Sequence, residues 1–183
     1  MNLIKTKTNK GAILVEVIIA ISIIIVGLLA VLHLLSRSIS LNKVVSNQLV
    51  ATYLAEEGIE VAKNILDANV IKIGIGNPPF NNSNAWNRDF TPGSYEIDYQ
   101  SPALESNQNR QLNFDFNTGF YSYAFGSSTP FQRQVDVDRI SNDELRIVAR
   151  VNWITRGGAT STVVLEDHFY NWRCDYNNFP SCP

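Results

Sequence analysis

Two histidines are the side chains of this 183-residue chain that most readily suggest acid–base chemistry. His168 follows Asp167 in the segment TSTVVLEDHF, whose composition and alternation predict a strand. Because neighbouring strand residues face opposite sides, Asp167 cannot orient His168 as a catalytic pair requires. His33 lies in an apolar run, and the chain contains no phosphate-binding loop and no thiolate or imidazole cluster. We therefore expect no enzyme activity and no cofactor.

Two groups of carboxylates could hold a metal. One surrounds a predicted turn and consists of Asp136, Asp138, Asp143 and Glu144. Its spacing matches no defined calcium loop, so a solvated turn is the preferred interpretation and a calcium site the alternative. The other group, Glu56, Glu57 and Glu60, lies on a predicted amphipathic helix. We interpret it as a solvated acidic face, available for contact with a neighbouring subunit, rather than as a metal or catalytic site.

The element that organises the chain is an apolar run over residues 12–35, AILVEVIIAISIIIVGLLAVLHLL, in which 20 of 24 residues are hydrophobic. As a helix it extends about 36 Å, enough to cross a hydrocarbon core of about 30 Å. A strand of this length is implausible. Lys5, Lys7 and Lys10 precede the run without any acid, whereas Arg37 and Lys43 follow it. The positive-inside rule therefore predicts a cytoplasmic N-terminus and an extracytoplasmic C-terminal part.

Glu16 is the exceptional residue of this run. A carboxylate at the centre of a membrane helix costs about 2.5–3.5 kcal/mol, somewhat less near an end, and usually has a partner. No basic residue lies within helical reach inside the run. One interpretation places Glu16 at the headgroups; the one we favour is that it neutralises a positive charge on another molecule in the bilayer.

The N-terminus, a basic leader ending in Gly11 and followed by AILVEVIIAISIIIVGLL, resembles that of type IV pilins and type II secretion pseudopilins. That family has glycine before its cleavage point and glutamate as the fifth mature residue, the spacing of Gly11 and Glu16. The usual first residue of the family is phenylalanine, often followed by threonine. Here Ala12 and Ile13 stand in those places, which favours a minor subunit over a major pilin.

The resemblance implies a processing and assembly sequence. A prepilin peptidase would remove the leader, residues 1–11, and N-methylate Ala12. Glu16 would then pair with the amine of Ala12 of a neighbouring subunit, offsetting part of its desolvation cost. Implied partners are other pilins or pseudopilins, the assembly platform protein of the membrane, and an assembly ATPase. Such filaments serve motility, DNA uptake, adhesion or protein secretion. The alternative is an uncleaved, signal-anchored extracytoplasmic binding protein.

The helix is predicted to continue beyond the membrane, through residues 36–69. Val50, Leu54, Val61 and Ile65 fall on one helical face, and the segment has no proline up to about Asp67. The stretch 53–69, YLAEEGIEVAKNILDAN, resembles minor pilins of the PilV type and GspI-like pseudopilins. The implied fold is α+β: a long N-terminal helical spine, transmembrane in its first half, packed on an antiparallel meander of three to four strands.

Residues 70–93 are rich in Gly, Pro and Asn and predict the loop that joins this helix to the sheet, with Trp86 and Phe90 packed on the domain. The β domain follows in residues 94–183. Strands are predicted where Tyr95, Ile97 and Tyr99 alternate with polar residues, in a short segment from Leu112 to Phe116 and in another from Phe120 to Phe125. Further strands are predicted in 131–140, in 144–154 and in 160–169. The last two flank the turn TRGG, residues 155–158. In the segment 131–140, Phe131, Arg133, Val135 and Val137 share one face, with Arg133 near the edge of that face.

The two cysteines are too few for a disulfide scaffold and lack zinc-site spacing. Cys174 and Cys182 are the two ends of a nine-residue segment, CDYNNFPSC, which resembles the C-terminal cystine loop of many pilins but is shorter. An extracytoplasmic location favours a disulfide over two free thiols. Without the three leader lysines, 12 of the 15 basic residues remain against 17 acids. The mature chain is therefore acidic, which disfavours nonspecific attraction to nucleic acid.

Overall fold

The computed structural model describes residues 10–76, 86–155 and 157–171. Within these described ranges, one α-helix, α1 (Lys10–Gly76), is followed by eight strands. Four of these strands have four or more residues: β1 (Gly93–Glu96), β6 (Gln132–Arg139), β7 (Glu144–Ile154) and β8 (Thr160–Tyr170). The remaining four contain two residues each: β2 (Glu105–Ser106), β3 (Asn113–Phe114), β4 (Tyr121–Ser122) and β5 (Ser127–Ser128). The chain divides into two compact units, Met1–Ser46 and Asn47–Pro183.

The described part of the first unit is helical. The apolar run predicted to be a membrane helix is a helix, although β-branched residues dominate it, because in an apolar surrounding only a helix satisfies its own backbone groups. Ser22 adds a local bond: its hydroxyl donates to the carbonyl oxygen of Ile18 at 2.7 Å. Every side chain from Gly11 to Ser46 is exposed.

In the second unit, one face of α1 is buried. Leu54 and Ile65 are buried and Val50 and Val61 are partly buried, so the predicted helical face is confirmed. The helix ends at Gly76, seven residues beyond the predicted end at residue 69, so the first part of the predicted 70–93 loop is helical. The most buried positions on this face are small or aliphatic: Ala51, Leu54, Ala55, Gly58 and Ala62.

Gly58 marks the closest approach of helix and sheet. A methyl group at this position would lie 3.1 Å from Cδ of Arg133, 3.3 Å from Cγ2 of Val135 and 3.5 Å from Cβ of Ala149. Glycine costs a helix about 1 kcal/mol relative to alanine. Here that cost is offset by the packing of the helix directly on β6 and β7.

The sheets differ from the predicted three-to-four-strand meander. The larger sheet has five strands in the order β2-β1-β6-β7-β8, and a second, smaller sheet has the order β4-β3-β5; all pairings are antiparallel. Among the strands of the described residues, only β6, β7 and β8 form a meander, because β1 pairs with β6 across the intervening segment. The predicted segments from Leu112 to Phe116 and from Phe120 to Phe125 contain β3 and β4. The prediction missed β2 and β5, because a two-residue strand carries no periodicity.

The three long strands lie where alternation predicts them. The predicted segments 131–140, 144–154 and 160–169 correspond to β6, β7 and β8. The β7–β8 hairpin is also confirmed: the N–H of Gly158 donates to the carbonyl of Thr155 at 2.9 Å, and Gly158 adopts a φ of 79°. Trp86 and Phe90 are buried as predicted, and the indole N–H of Trp86 donates to the carbonyl of Asn142 at 2.9 Å.

Candidate assembly surface

The first unit presents a continuous apolar surface. Its large aliphatic side chains, from Ile13 to Val45, are between 47% and 68% exposed. One helix of the described residues, Gly11–Ala68, is long and apolar enough to cross a membrane, and none of its most apolar stretch is buried within the chain. Monomeric soluble proteins rarely expose an apolar patch larger than a few hundred Å², so this surface requires lipid or protein around it.

Gly11, Ala12 and Glu16 all lie at the start of α1, which begins at Lys10, two residues before the predicted cleavage junction between Gly11 and Ala12. Ala12 and Glu16 are four residues apart, so their side chains project from the same face of the helix. Glu16 is exposed, and no basic side chain in the described part of the chain forms an ion pair with it. Cys174 and Cys182 lie outside the described residues, and their pairing stays a prediction.

The acidic residues of the helix in the second unit have two different environments. Glu56 and Glu60 are exposed, as predicted. Glu57 is half-buried, with Oε1 3.5 Å from Nη1 of Arg133, so the prediction of a solvated face is wrong at this position. The reason is tertiary: β6 places a buried cation beside this turn of the helix.

Arg133 is buried in the core, whereas it was predicted near the edge of the face that it shares with Val135 and Val137. Its guanidinium is completely buried and donates to two backbone carbonyls, that of Leu54 in α1 at 2.9 Å and that of Ile97 after β1 at 2.5 Å. A buried charge requires such partners because desolvation is costly. The strand pattern could have indicated this burial, because Arg133 lies on the same face of β6 as the buried Val135 and Val137.

The alternation predicted for residues 95–100 is confirmed at Ile97, which is buried, but is wrong at Glu96, Asp98 and Tyr99. Glu96 and Asp98, expected on the solvent side, are buried, while Tyr99 is 39% exposed. Glu96 accepts bonds from the backbone N–H of Gln108 at 2.9 Å and of Arg110 at 2.7 Å, and its other oxygen accepts from Nε of Arg110 at 2.7 Å. These donors come from a loop more than ten residues away, which periodicity could not reveal.

Asp98 organises a neighbouring loop. Its carboxylate accepts bonds from the backbone N–H of Gln100 at 3.0 Å and of Tyr123 at 3.0 Å. The Tyr123 hydroxyl donates to the carbonyl of Arg133 at 3.0 Å, and burial raises the pKa of Tyr123 to about 12. Glu96, Asp98 and Arg133 are thus structural groups, bonded largely to backbone, that sequence reasoning did not identify as such.

His168 contacts two glutamates on the outer face of the sheet. Nδ1 lies 2.7 Å from Oε1 of Glu144, and Nε2 lies 3.2 Å from Oε1 of Glu166. Glu144 first, and Glu166 second, raise the pKa of His168 above its usual value. Asp167 instead accepts a bond from the backbone N–H of His168 at 2.8 Å, so the imidazole is not oriented by Asp167.

The carboxylates considered for calcium are each engaged separately. Asp136 pairs with Arg150, Asp138 with Arg146 at 2.7 Å, and Asp143 accepts a bond from the side-chain amide of Asn171 at 3.1 Å. Within the described ranges, no group of three or more metal-ligating side chains is present. The arrangement consists of separate pairwise contacts, of which the exposed Asp138–Arg146 ion pair contributes little to stability.

These features define a class: an α+β protein in which one long apolar N-terminal helix continues into an antiparallel sheet domain, consistent with single-pass membrane anchoring. Searches of protein-family models, curated proteins and solved structures found no match to this chain.

Proposed function

We propose that this chain is a minor pilin or pseudopilin, a structural subunit of a type IV pilus or of a related secretion or competence filament. The observation that carries the proposal is the fully exposed apolar half of α1, with Glu16 near its start, on the same helix that packs against an antiparallel sheet. This α+β layout is compatible with the pilin fold. A helix of this kind is suited first to the membrane and then to side-by-side packing with other subunits.

In the proposed sequence of events, the leader stays in the cytoplasm and a prepilin peptidase cleaves between Gly11 and Ala12. The new amine of Ala12 is N-methylated, and cleavage before the apolar run keeps the anchor in the product. Glu16 of an incoming subunit then attracts the Ala12 amine of its neighbour and sets the axial register. At about 4 Å and an effective dielectric constant of about 20, this attraction is worth about 4 kcal/mol. That is comparable to the cost of placing a carboxylate in the bilayer.

The cleavage step is tested by mass spectrometry of the N-terminus of the protein from its own cells. We expect a chain that begins at N-methylated Ala12. Gly11→Val should leave the leader attached, whereas Gly27→Val, at a glycine of the same helix that also has open space around it, should be processed normally. An intact Met1 in the wild-type protein would contradict the proposal and would favour the signal-anchored binding protein.

The register role is tested by Glu16→Leu. The variant should insert into the membrane and be cleaved, because removal of a carboxylate favours burial in lipid. Its recovery in sheared filaments, measured by immunoblot relative to the membrane fraction, should fall by at least tenfold, because the 4 kcal/mol attraction is lost. Ser22→Ala, a polar-to-apolar change in the same run, is the matched control and should assemble normally. Equal recovery of Glu16→Leu and wild type would refute the role of Glu16.

A further inference from the structure

Among the residues that the structure describes, no strand pairs with the outer edge of β8. β8 is the last strand in the larger sheet and pairs only with β7 among the described residues. Backbone bonds at the two ends of this pair join Thr155 to Ala159 and Asp143 to Asn171. Bonded pairs alternate along antiparallel strands, so the odd-numbered residues of β8 bond to β7 and the even-numbered ones direct N–H and C=O to the open edge.

One half of this edge is blocked. The carboxylate of Asp167 accepts a bond from the N–H of His168 at 2.8 Å, which occupies one of the edge donors. Glu166 and His168 add charge there, and charged residues are a common means by which proteins prevent pairing at an edge. The opposite edge of the same sheet is β2, a two-residue strand whose Glu105 pairs with Arg110. That edge is protected by its short length and its charge.

The other half of the β8 edge lacks these protections. The segment from Thr160 to Leu165, TSTVVL, carries no charge and no proline, and four of its six residues are β-branched. Thr160 and Thr162 are exposed, and Val164 is 50% exposed. On the same face of β7, Ile154 is 65% exposed and lies in register with Thr160. An exposed, uncharged strand of this composition is a template for another strand.

We propose that this half-edge pairs antiparallel with the same half-edge of a second copy of the chain, with a two-fold axis at Thr162. Thr162 then lies opposite Thr162 of the second copy, and Thr160 lies opposite its Val164. The three bonded pairs supply about six backbone hydrogen bonds. The two five-stranded sheets become one continuous sheet, and a self-complementary contact of this kind closes as a dimer.

The distribution of charge favours a second copy in this register. Every charged residue of β8 lies outside the paired segment, and Glu166 of one copy falls opposite Gly158 of the other, so no like charges face each other. A register centred on His168 would instead place His168 opposite His168 and would break the Asp167 bond to its N–H. The inference does not rest on the proposed function, because an anchored binding protein would present the same edge.

Cysteine cross-linking of the full-length protein in its membrane tests this geometry. Thr162→Cys should form a disulfide-linked dimer under mild oxidation, because residues in a bonded pair have Cα atoms about 5.5 Å apart, within disulfide range. Thr160→Cys is the matched control. Its nearest counterpart in the second copy is Val164, so its dimer yield should be at least tenfold lower. A mixture of Thr160→Cys and Val164→Cys chains should restore cross-linking. All variants carry the same native cysteines, so differences in dimer yield between them reflect the position of the introduced cysteine.

A second change separates edge pairing from association through the apolar helix. Val164→Pro removes an N–H that points to the open edge and is not used in the sheet, so the domain should keep its unfolding midpoint. In the Thr162→Cys background it should reduce the dimer yield at least tenfold. Equal cross-linking at positions 160 and 162, no cross-linking at 162, or dimers that persist with Val164→Pro in a folded domain would each overturn the proposal.

Discussion

Replacement of Arg133 by methionine should destabilise the second unit strongly, although the substitution nearly preserves the volume of the side chain. The guanidinium is completely buried and joins the carbonyls of Leu54 and Ile97 through charge-assisted bonds at 2.9 and 2.5 Å. Leu54 lies inside a helix, so its carbonyl has a second donor available from the helix itself. Ile97 follows β1 and is fully buried, so its carbonyl would lose a donor that solvent does not replace.

The expected magnitude follows from three contributions. Each charge-assisted bond is worth about 1.5–3 kcal/mol, and an unpaired buried carbonyl costs about 1–3 kcal/mol. Against this, removal of a buried cation relieves a desolvation cost of several kcal/mol. Glu57 loses its ion pair, and although its side chain is 30% exposed, the oxygen that faces Arg133 is buried and accepts no hydrogen bond. We expect a net loss of about 2–4 kcal/mol for Arg133→Met. Arg133→Lys should be intermediate, because an ammonium cannot bond both carbonyls in the fork geometry of a guanidinium.

Denaturant unfolding of the full-length protein in detergent, followed by tryptophan fluorescence, measures this effect, since Trp86 and Trp153 are buried in the same unit. Arg146→Met is the matched control: Arg146 pairs with Asp138 at 2.7 Å but is 39% exposed, so its loss should cost less than about 1 kcal/mol. If Arg133→Met unfolded at the same denaturant concentration as Arg146→Met, the two buried bonds would not stabilise the packing of the helix on the sheet.

Two further outcomes depend on local geometry. Gly126→Ala should destabilise the domain by more than about 3 kcal/mol, because a methyl group there would lie 2.5 Å from the backbone of Phe114 at a φ of 110°. Gly119→Ala has open space around it at a φ of 77° and should cost only about 1–2 kcal/mol; similar losses in denaturant unfolding would contradict this reasoning. His168→Gln should lower the thermal midpoint most below pH 6.5. Glu144 and Glu166 raise the pKa of the folded-state imidazole, so its stabilisation is complete below the unfolded pKa and is lost as pH rises through the folded value. A midpoint difference that is constant from pH 5 to pH 9 would refute the contribution of the charge.

Local periodicity accounts for the elements that were predicted well. The apolar run, the buried face of α1 and the alternation of β6, β7 and β8 repeat with the period of their own backbone over eight or more residues. The polarity of each residue therefore predicts whether its side chain faces the core or the solvent, without reference to the rest of the fold. The hairpin at residues 155–158 was predictable for the same reason, since its glycines adjoin two alternating segments.

The buried charges depended on the tertiary structure. Glu96 is polar and precedes an apolar residue, and nothing in its neighbourhood indicates that the backbone of residues 108–110 will supply its donors. Arg133 occupies a core position that pattern alone assigns to an aliphatic side chain, because its partners are carbonyls from α1 and from the end of β1. Such contacts join segments distant in sequence, and their spacing follows no local period.

The sequence by itself determined the class of this protein: one apolar helix with a carboxylate near its start, followed by an acidic antiparallel domain. These properties follow from composition and from local periodicity, so they can be recognised without knowledge of the tertiary contacts. Only the tertiary structure decided which polar groups are buried, how the five strands are ordered and which sheet edge stays open. Those outcomes follow from pairing between distant backbone segments, where each hydrogen-bonding group that loses water must find a partner.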